Sequence, residues 1–272
     1  MSKSDKKSEL RRSVEQGDLF KSQSGAGRQE AGGTSRIAKQ TELLSRLQEQ
    51  RTLTVSIMDK ISDYGSLGRA FQEVRRNKGA EGVDGITLSM YEQDLTARLN
   101  KLHDELRQGS YRPDAVRLVE IPKPNGGTRR LGIPTIGDRV VQQSLLNVLQ
   151  PIYDPYFSEY SYGFRPGRSA HQAVSRAAEC VLKGKTWVVD IDLKSFFDEI
   201  NHDRLMSRLS KSISDKNVLN LIRSYLRAGL MQDGLVSQRL SGTPQGGPLS
   251  PLLSNIVLEK LFLRLPKIMR VG

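Results

Sequence analysis

The stretch Trp187-Val-Val-Asp-Ile-Asp-Leu-Lys-Ser-Phe-Phe-Asp-Glu-Ile-Asn-His202 decides how the rest of the chain is interpreted. Its first half is a β-branched run of strand length, which predicts a strand. Asp190 and Asp192 interrupt the run with a period of two, so a strand would carry both carboxylates on one face. Ionised carboxylates are costly to bury without partners. The pattern therefore indicates an edge strand with a solvated face, an acid that caps the following turn, or acids retained for chemistry.

Composition points to a soluble protein with a polyanionic partner. The chain has 272 residues and a formal net charge of +12, enough for one or two domains with a sizeable core. From residue 201 to the end there are 11 Lys or Arg and 4 Asp or Glu, so the positive charge is concentrated beside the acidic stretch. This distribution favours nucleic acid as the partner over a basic protein that is merely soluble.

Other classes of protein are disfavoured. The single cysteine, Cys180, excludes an internal disulfide and a cysteine-based zinc site. No apolar run reaches membrane-spanning length, and the charged N-terminus does not look like a signal peptide. We therefore expect a cytoplasmic protein with no membrane contact.

Local patterns predict a mostly helical chain with short strands. An Asn125-Gly126 turn between two β-prone runs, 116–121 and 130–133, predicts a β-hairpin. Ser169 is a plausible N-cap for a helix over 169–182. The other predicted elements are helices over 41–61, 67–76, 88–107, 139–149, 203 onwards, 218–228 and 248–263, with a strand pair near 235–240.

Two further motifs carry candidate functional residues. Gly163-Phe-Arg-Pro-Gly-Arg168 is a tight basic loop, and Arg165 and Arg168 with the nearby Tyr162 would suit RNA phosphates and bases. Gly242-Thr-Pro-Gln-Gly-Gly-Pro-Leu-Ser-Pro251 contains two adjacent glycines that would let a nucleic-acid backbone approach closely. Read alone, the second motif would be only a loop that enters a helix.

Four blocks in this order resemble a group II intron-encoded reverse transcriptase, also called a maturase. They are Ile121-Pro-Lys-Pro-Asn-Gly-Gly-Thr-Arg-Arg-Leu-Gly-Ile-Pro134, the basic loop, the acidic stretch and the Gln-Gly-Gly block, within roughly 67–259. The resemblance implies an α+β right-hand fold, with helical fingers that carry the hairpin and an incomplete antiparallel palm sheet. Residues 1–40 would then be a disordered basic tail, 41–185 the N-terminal extension and fingers, and 186–272 a partial palm.

The resemblance also implies the chemistry of RNA-directed DNA synthesis. Two Mg²⁺ ions would assist attack of a 3′-hydroxyl on a nucleotide phosphate. Asp192 would be the catalytic metal ligand with the carbonyl of Leu193 beside it, and Asp190 is the alternative ligand. The expected partners are group II intron RNA, an RNA template with a DNA primer, and a deoxynucleoside triphosphate (dNTP).

Nucleotide-binding roles follow from the same resemblance. Lys123 and Arg129 would fold over the triphosphate, whereas Arg130, which faces the other way on the strand, would contact RNA. Phe197 would stack beneath the sugar and exclude a 2′-hydroxyl, although one of Phe196 and Phe197 should be ordinary core. Gln245 and Gly246 would contact the nascent base pair.

The family's aromatic-x-Asp-Asp hairpin is not found after Pro251, and Pro266 breaks the last predicted helix. We therefore expect a chain truncated before that hairpin and inactive by itself. Three hypotheses remain: a fragment of a polymerase, an RNA-binding splicing cofactor that needs no catalytic acids, and a subunit completed in trans by a separate C-terminal half.

Overall fold

The computed structural model describes residues 56–122, 126–193, 195–232, 234–243 and 246–264. The side chains of Arg129 and of residues 260–264 are not part of that description. The predicted tail over 1–40 and most of the helix predicted over 41–61 lie outside the described residues.

Helices form where apolar residues recur at helical spacing and a polar residue caps the first turn. Ser169 accepts a hydrogen bond from the backbone of Gln172, and the Gln172 side chain binds the Ser169 backbone in return, which confirms the predicted N-cap. Thr135 caps its helix in the same way, through Asp138. In chain order the α-helices are α1 Ile57–Ser62, α2 Tyr64–Asn77, α3 Leu88–Gln93, α4 Leu95–Gln108, α5 Ile136–Tyr153, α6 Ala170–Leu182, α7 His202–Ser212, α8 Lys216–Arg227 and α9 Ser250–Arg264.

Two predicted helix boundaries are wrong. The helix predicted over 88–107 is two helices, because Asp94 leaves the helical conformation and becomes the end of α3 and the start of α4. The helix predicted to end before Pro151 continues through it to Tyr153. A proline inside a helix costs about 3 kcal/mol, and burial of Leu149 and Tyr153 on either side of it offsets that cost.

Four short strands form one sheet in the order β2-β1-β3-β4. The strands β1 (Val116–Pro122) and β2 (Thr128–Ile133) form the predicted hairpin, with Glu120 opposite Arg130 and Ile121 opposite Arg129. The second hairpin is β3 (Leu230–Gln232) with β4 (Leu235–Ser237), and β3 runs parallel to β1. Helices around a small mixed sheet confirm the α+β class.

The strand predicted from Val188 to Leu193 is not formed. Residues 185–193 belong to no helix or strand, and no strand of the described part of the chain pairs with them. A strand needs a neighbour to bind its backbone N–H and C=O groups. The apolar side chains of this stretch face solvent instead, with Trp187 93% and Val188 82% exposed.

The core lies between α2, α5 and the helices around them, where Phe71, Leu145 and Ile222 are fully buried. A polar network crosses it at the start of α5. Asp138 accepts hydrogen bonds from the hydroxyls of Tyr111 at 2.5 Å and Thr135 at 2.8 Å, and Tyr225 donates to Tyr111 at 3.0 Å. Among the described helices, none has the length and apolar character needed to cross a membrane.

Candidate functional site

A cavity of about 740 Å³ collects several of the residues singled out from the sequence. One wall is strand β2 from Leu131 to Ile133, and the start of α9 with Gly246 and Gly247 forms another. The ring of Phe197 and the loop from Asn77 to Ala80 complete the lining. The structure thus brings the hairpin, the Gly-Gly pair and one of the two phenylalanines to one concave surface.

The two glycines are required by close packing. Gly246 has φ +132°, and a Cβ on it would collide with the carbonyl oxygen of Gly132 in β2. A Cβ on Gly247 would collide with the side-chain oxygen of Gln142 on α5. A side chain at either position would therefore separate the loop from the hairpin or from α5.

Backbone hydrogen bonds fix the loop that carries Phe197 to the block before α9. The N–H of Thr243 donates to the carbonyl of Phe197 at 2.7 Å, and the N–H of Gly242 donates to that of Ile200 at 2.8 Å. The His202 Nε2 lies 2.7 Å from the carbonyl oxygen of Gly242 and hydrogen-bonds to it. Phe197 and Gly246 therefore belong to one framework.

Phe196 and Phe197 have different surroundings, as the sequence analysis anticipated for one of them. Phe196 packs against the hydrophobic core, whereas Phe197 lines the cavity. The two rings meet edge to face, with centroids 6.1 Å apart. This arrangement leaves Phe197 as the ring that a bound nucleotide could reach.

The acidic residues are not brought into the cavity. Asp190, Asp192 and Leu193 are exposed, and none of them lines it. Within the described residues, no three His, Cys, Asp or Glu side chains lie close enough together to hold a metal ion. The residues described here therefore do not by themselves fit a two-ion magnesium site, because such a site needs several carboxylates.

The predicted hairpin residues are described only in part. Lys123 and Gln245 lie outside the described residues, and Arg129 is described by its backbone alone. Arg130 is exposed, with its Nε 3.7 Å from a carboxylate oxygen of Glu120 and its Nη2 3.4 Å from the side-chain oxygen of Gln232. These surface contacts are weak, so Arg130 stays available to a phosphate.

Arg165 has a structural role. Its side chain is 5% exposed, and its five N–H groups point to five acceptor positions on Asp154, Ser158 and Ser161 at 2.6–3.2 Å. The Arg165 guanidinium also lowers the pKa of the Asp154 carboxyl. Since a guanidinium has five donors, none remains for RNA, and the contacts assign Arg165 to the fold of the loop. The predicted RNA contact is therefore not supported for this residue.

Arg168 and Phe164 are the exposed members of the same loop. Arg168 lies over the ring of Tyr162 at 5.6 Å, which holds its charge at the surface. Phe164 is 71% exposed at the edge of the cavity and has φ +54°. A left-handed aromatic residue is strained, and such strain concentrates at functional sites.

The sequence analysis missed Arg139, which lines the cavity from α5. Its guanidinium donates to the carbonyl oxygens of Ala80 at 2.7 Å and Lys78 at 3.4 Å, so it anchors the loop that forms one wall. Burial lowers its pKa below the usual value. The available signal was an arginine within an apolar helical pattern, since arginine is seldom buried without a specific partner.

Comparisons with known proteins agree on one family. The family model described as reverse transcriptase (RNA-dependent DNA polymerase) matches residues 121–271. Protein YkfC of Escherichia coli (strain K12) is 40% identical over 200 residues, which are 71% of this chain and 52% of that protein. The group II intron-encoded protein LtrA of Lactococcus lactis subsp. cremoris is 37% identical over 195 residues, 71% of this chain and 32% of LtrA.

A solved structure supports the same fold. A chain of a partial Cas6-RT-Cas1–Cas2 complex superimposes with a TM-score of 0.54 at 24% identity, over 78% of this chain and 35% of the other. At that identity the likeness shows the fold alone. The chain spans about half of YkfC and a third of LtrA.

Proposed function

We propose a function from the premise that this chain belongs to the reverse transcriptase family, in its group II intron-encoded branch. We infer that it serves RNA-templated DNA synthesis and supplies the fingers and the floor of the nucleotide site. The substrates would be an RNA template with a DNA primer and dNTPs, and the RNA partner a group II intron. Carboxylates beyond the described residues would complete the metal site.

The cavity where β2, Phe197 and Gly246 meet carries this proposal. Its volume, about 740 Å³, is within the range of sites for small molecules and cofactors. Bare backbone at Gly246 allows close approach of a base pair. The ring of Phe197 would lie against the sugar and exclude a 2′-hydroxyl, which would select deoxynucleotides.

Positive charge around the cavity would hold the phosphates. Lys123 and Arg129 would bind the triphosphate, while Arg130 and Arg168 would bind the template backbone. When bound, Mg²⁺ would stabilise the attacking and leaving oxygens in this family. Asp192 is the residue of this chain that we assign to that ion, with the Leu193 carbonyl beside it.

Primer extension tests the proposal in two forms of the protein. The 272-residue chain alone should not extend a primer on RNA. Joined to the remaining polymerase part of an active family member, it should extend the primer, and Asp192→Ala in the same fusion should abolish the activity. A folded fusion that binds template and primer but extends nothing would contradict a polymerase function.

A splicing cofactor without polymerase activity is the second candidate. The observation that favours it is the exposed, unpaired stretch around Asp190 and Asp192, which contrasts with a well-packed basic surface. In that case intron RNA binding and splicing assistance would survive Asp192→Ala. Loss of splicing assistance in this variant, with RNA affinity unchanged, would count against the second candidate.

A further inference from the structure

A second cavity, of about 320 Å³, lies between the end of α4 and the outer face of α8. It shares no lining residue with the first cavity. Three arginines, two asparagines and a serine form its polar lining: Arg112, Arg223, Arg227, Asn217, Asn220 and Ser224. No described residue that lines it is acidic.

The charge of this cavity comes from two elements. Helix α8 has the sequence Lys-Asn-Val-Leu-Asn-Leu-Ile-Arg-Ser-Tyr-Leu-Arg, with three basic residues and no acid. Arg223 shares its charge with Asp203, at 3.2 Å, on the exposed surface. Arg112 enters from the α4 side, and its Nη1 donates to the carbonyl oxygens of Gly109 at 3.0 Å and Tyr111 at 2.8 Å. Those bonds hold the guanidinium in place through only one of its two amino groups.

Neutral donors follow the same helical face. Asn217, Asn220, Ser224 and Arg227 recur at steps of three and four residues, so they line up along one side of α8. Amide groups and arginine together offer several N–H donors to one oxyanion. This donor set suits phosphate, whose oxygens accept charge-assisted and neutral hydrogen bonds at once.

The floor of the cavity is apolar and fixed. Leu106 and Leu221 are buried there, and Tyr111 lies between them with its hydroxyl bound to Asp138 and Tyr225. An apolar floor beneath a cationic rim is the arrangement that receives a sugar or base together with its phosphate. The tyrosine cannot turn away without breaking the buried network.

We propose that this cavity is a phosphate-binding site that takes one nucleotide unit, with the phosphate on Arg112 and Arg227 and the sugar or base on the floor. The nucleotide unit is either part of a single-stranded RNA or a free nucleotide. The site is independent of the proposed polymerase function, because none of its residues lines the first cavity.

A single introduced thiol reports occupancy directly. Cys180 is the only native cysteine and is buried, so Asn220→Cys creates one accessible thiol, with Asn100→Cys on exposed α4 as the matched control. The rate of maleimide labelling is measured in the full chain with inorganic phosphate, AMP or a short single-stranded RNA at constant ionic strength. We expect at least one probe to slow labelling in Asn220→Cys and none to do so in Asn100→Cys.

The pattern of protection distinguishes the sources. Protection by RNA alone assigns the site to a strand, whereas protection by AMP or inorganic phosphate assigns it to a free ligand. Equal labelling rates with and without all three probes would overturn the proposal. Since no nucleotide is incorporated, this outcome does not depend on primer extension.

Charge variants provide the second measurement for the strand-bound form. With an RNA ligand, Asn220→Asp places a negative charge among the arginines and should weaken binding about tenfold at low salt. The matched change Asn100→Asp should leave binding unchanged. The double variant Arg112→Ala/Arg227→Ala should flatten the slope of log K against log salt by about 0.7 for each phosphate lost, while Arg69→Ala/Arg204→Ala should not. If RNA protects the thiol but all four variants bind RNA alike, the assigned residues are wrong.

Discussion

At the scale of single residues, Gly242 shows how tightly the Phe197 loop is fixed. Gly242 has φ +82°, and a Cβ there would lie 2.7 Å from the carbonyl oxygen of Asp198 and 2.8 Å from that of Phe197. Gly242→Ala should therefore lower the free energy of unfolding by about 3 kcal/mol, measured by urea denaturation. Gly68, inside α2, has open space at its Cβ, so Gly68→Ala should raise it by about 0.5–1 kcal/mol. Similar effects of the two changes would show that the Gly242 contact does not constrain the fold.

Asp138 makes stability depend on pH. Burial raises the pKa of its carboxyl from 3.8 to about 6, although hydrogen bonds from Tyr111 and Thr135 act in the opposite direction. The folded protein then holds the proton more tightly than the unfolded chain, so the stability from protonation is present below the unfolded pKa and is lost as pH rises through about 6.

Asp138→Asn cannot titrate and serves as the reference. The unfolding free energy of the native protein relative to this variant should fall by about 3 kcal/mol between about pH 4 and pH 7. Urea denaturation at intervals across that range checks the trend. A constant difference between the two proteins would mean that the carboxyl keeps its ordinary pKa when folded.

At the scale of elements, the loop from Gly163 to Arg168 separates structure from binding. Arg165→Ala removes the partner of Asp154 and should destabilise the protein by about 2–3 kcal/mol. Arg168→Ala should leave stability unchanged and flatten the salt dependence of RNA binding by about 0.7. The two variants control for each other, because each removes one arginine from the same loop. If Arg168→Ala leaves the salt slope unchanged, Arg168 does not contact RNA.

Elements set by neighbouring residues were predictable from the sequence. The Ser169 cap and the Asn-Gly hairpin depend on residues a few positions apart, and both are confirmed. Features set by distant residues were not. The parallel pairing of β3 with β1 joins residues more than a hundred positions apart, and the buried residues around Pro151 outweigh its local effect. Arg165 was assigned to RNA because its motif is basic, whereas its acceptors are known only from the fold.

At the scale of the whole molecule, exposed apolar residues surround the acidic stretch. Val188 and Val189 are exposed there, as are Val181 and Leu182 at the end of α6. Surfaces of this kind promote association. The purified chain should therefore show a mass by light scattering that rises with concentration, and Val189→Lys should reduce that rise. Ser210→Lys adds the same charge on exposed α7 and should not. Equal association of both variants would move the contact elsewhere.

The same exposure gives the protein an optical probe. Trp187 is the only tryptophan in the chain and stands three residues before Asp190 with its indole in water. Its fluorescence should shift to shorter wavelength whenever a polypeptide covers the acidic stretch, and should stay unchanged when a nucleotide enters the pocket on α8. An emission spectrum of the unlabelled protein can therefore distinguish assembly at the acidic stretch from ligand binding at that pocket.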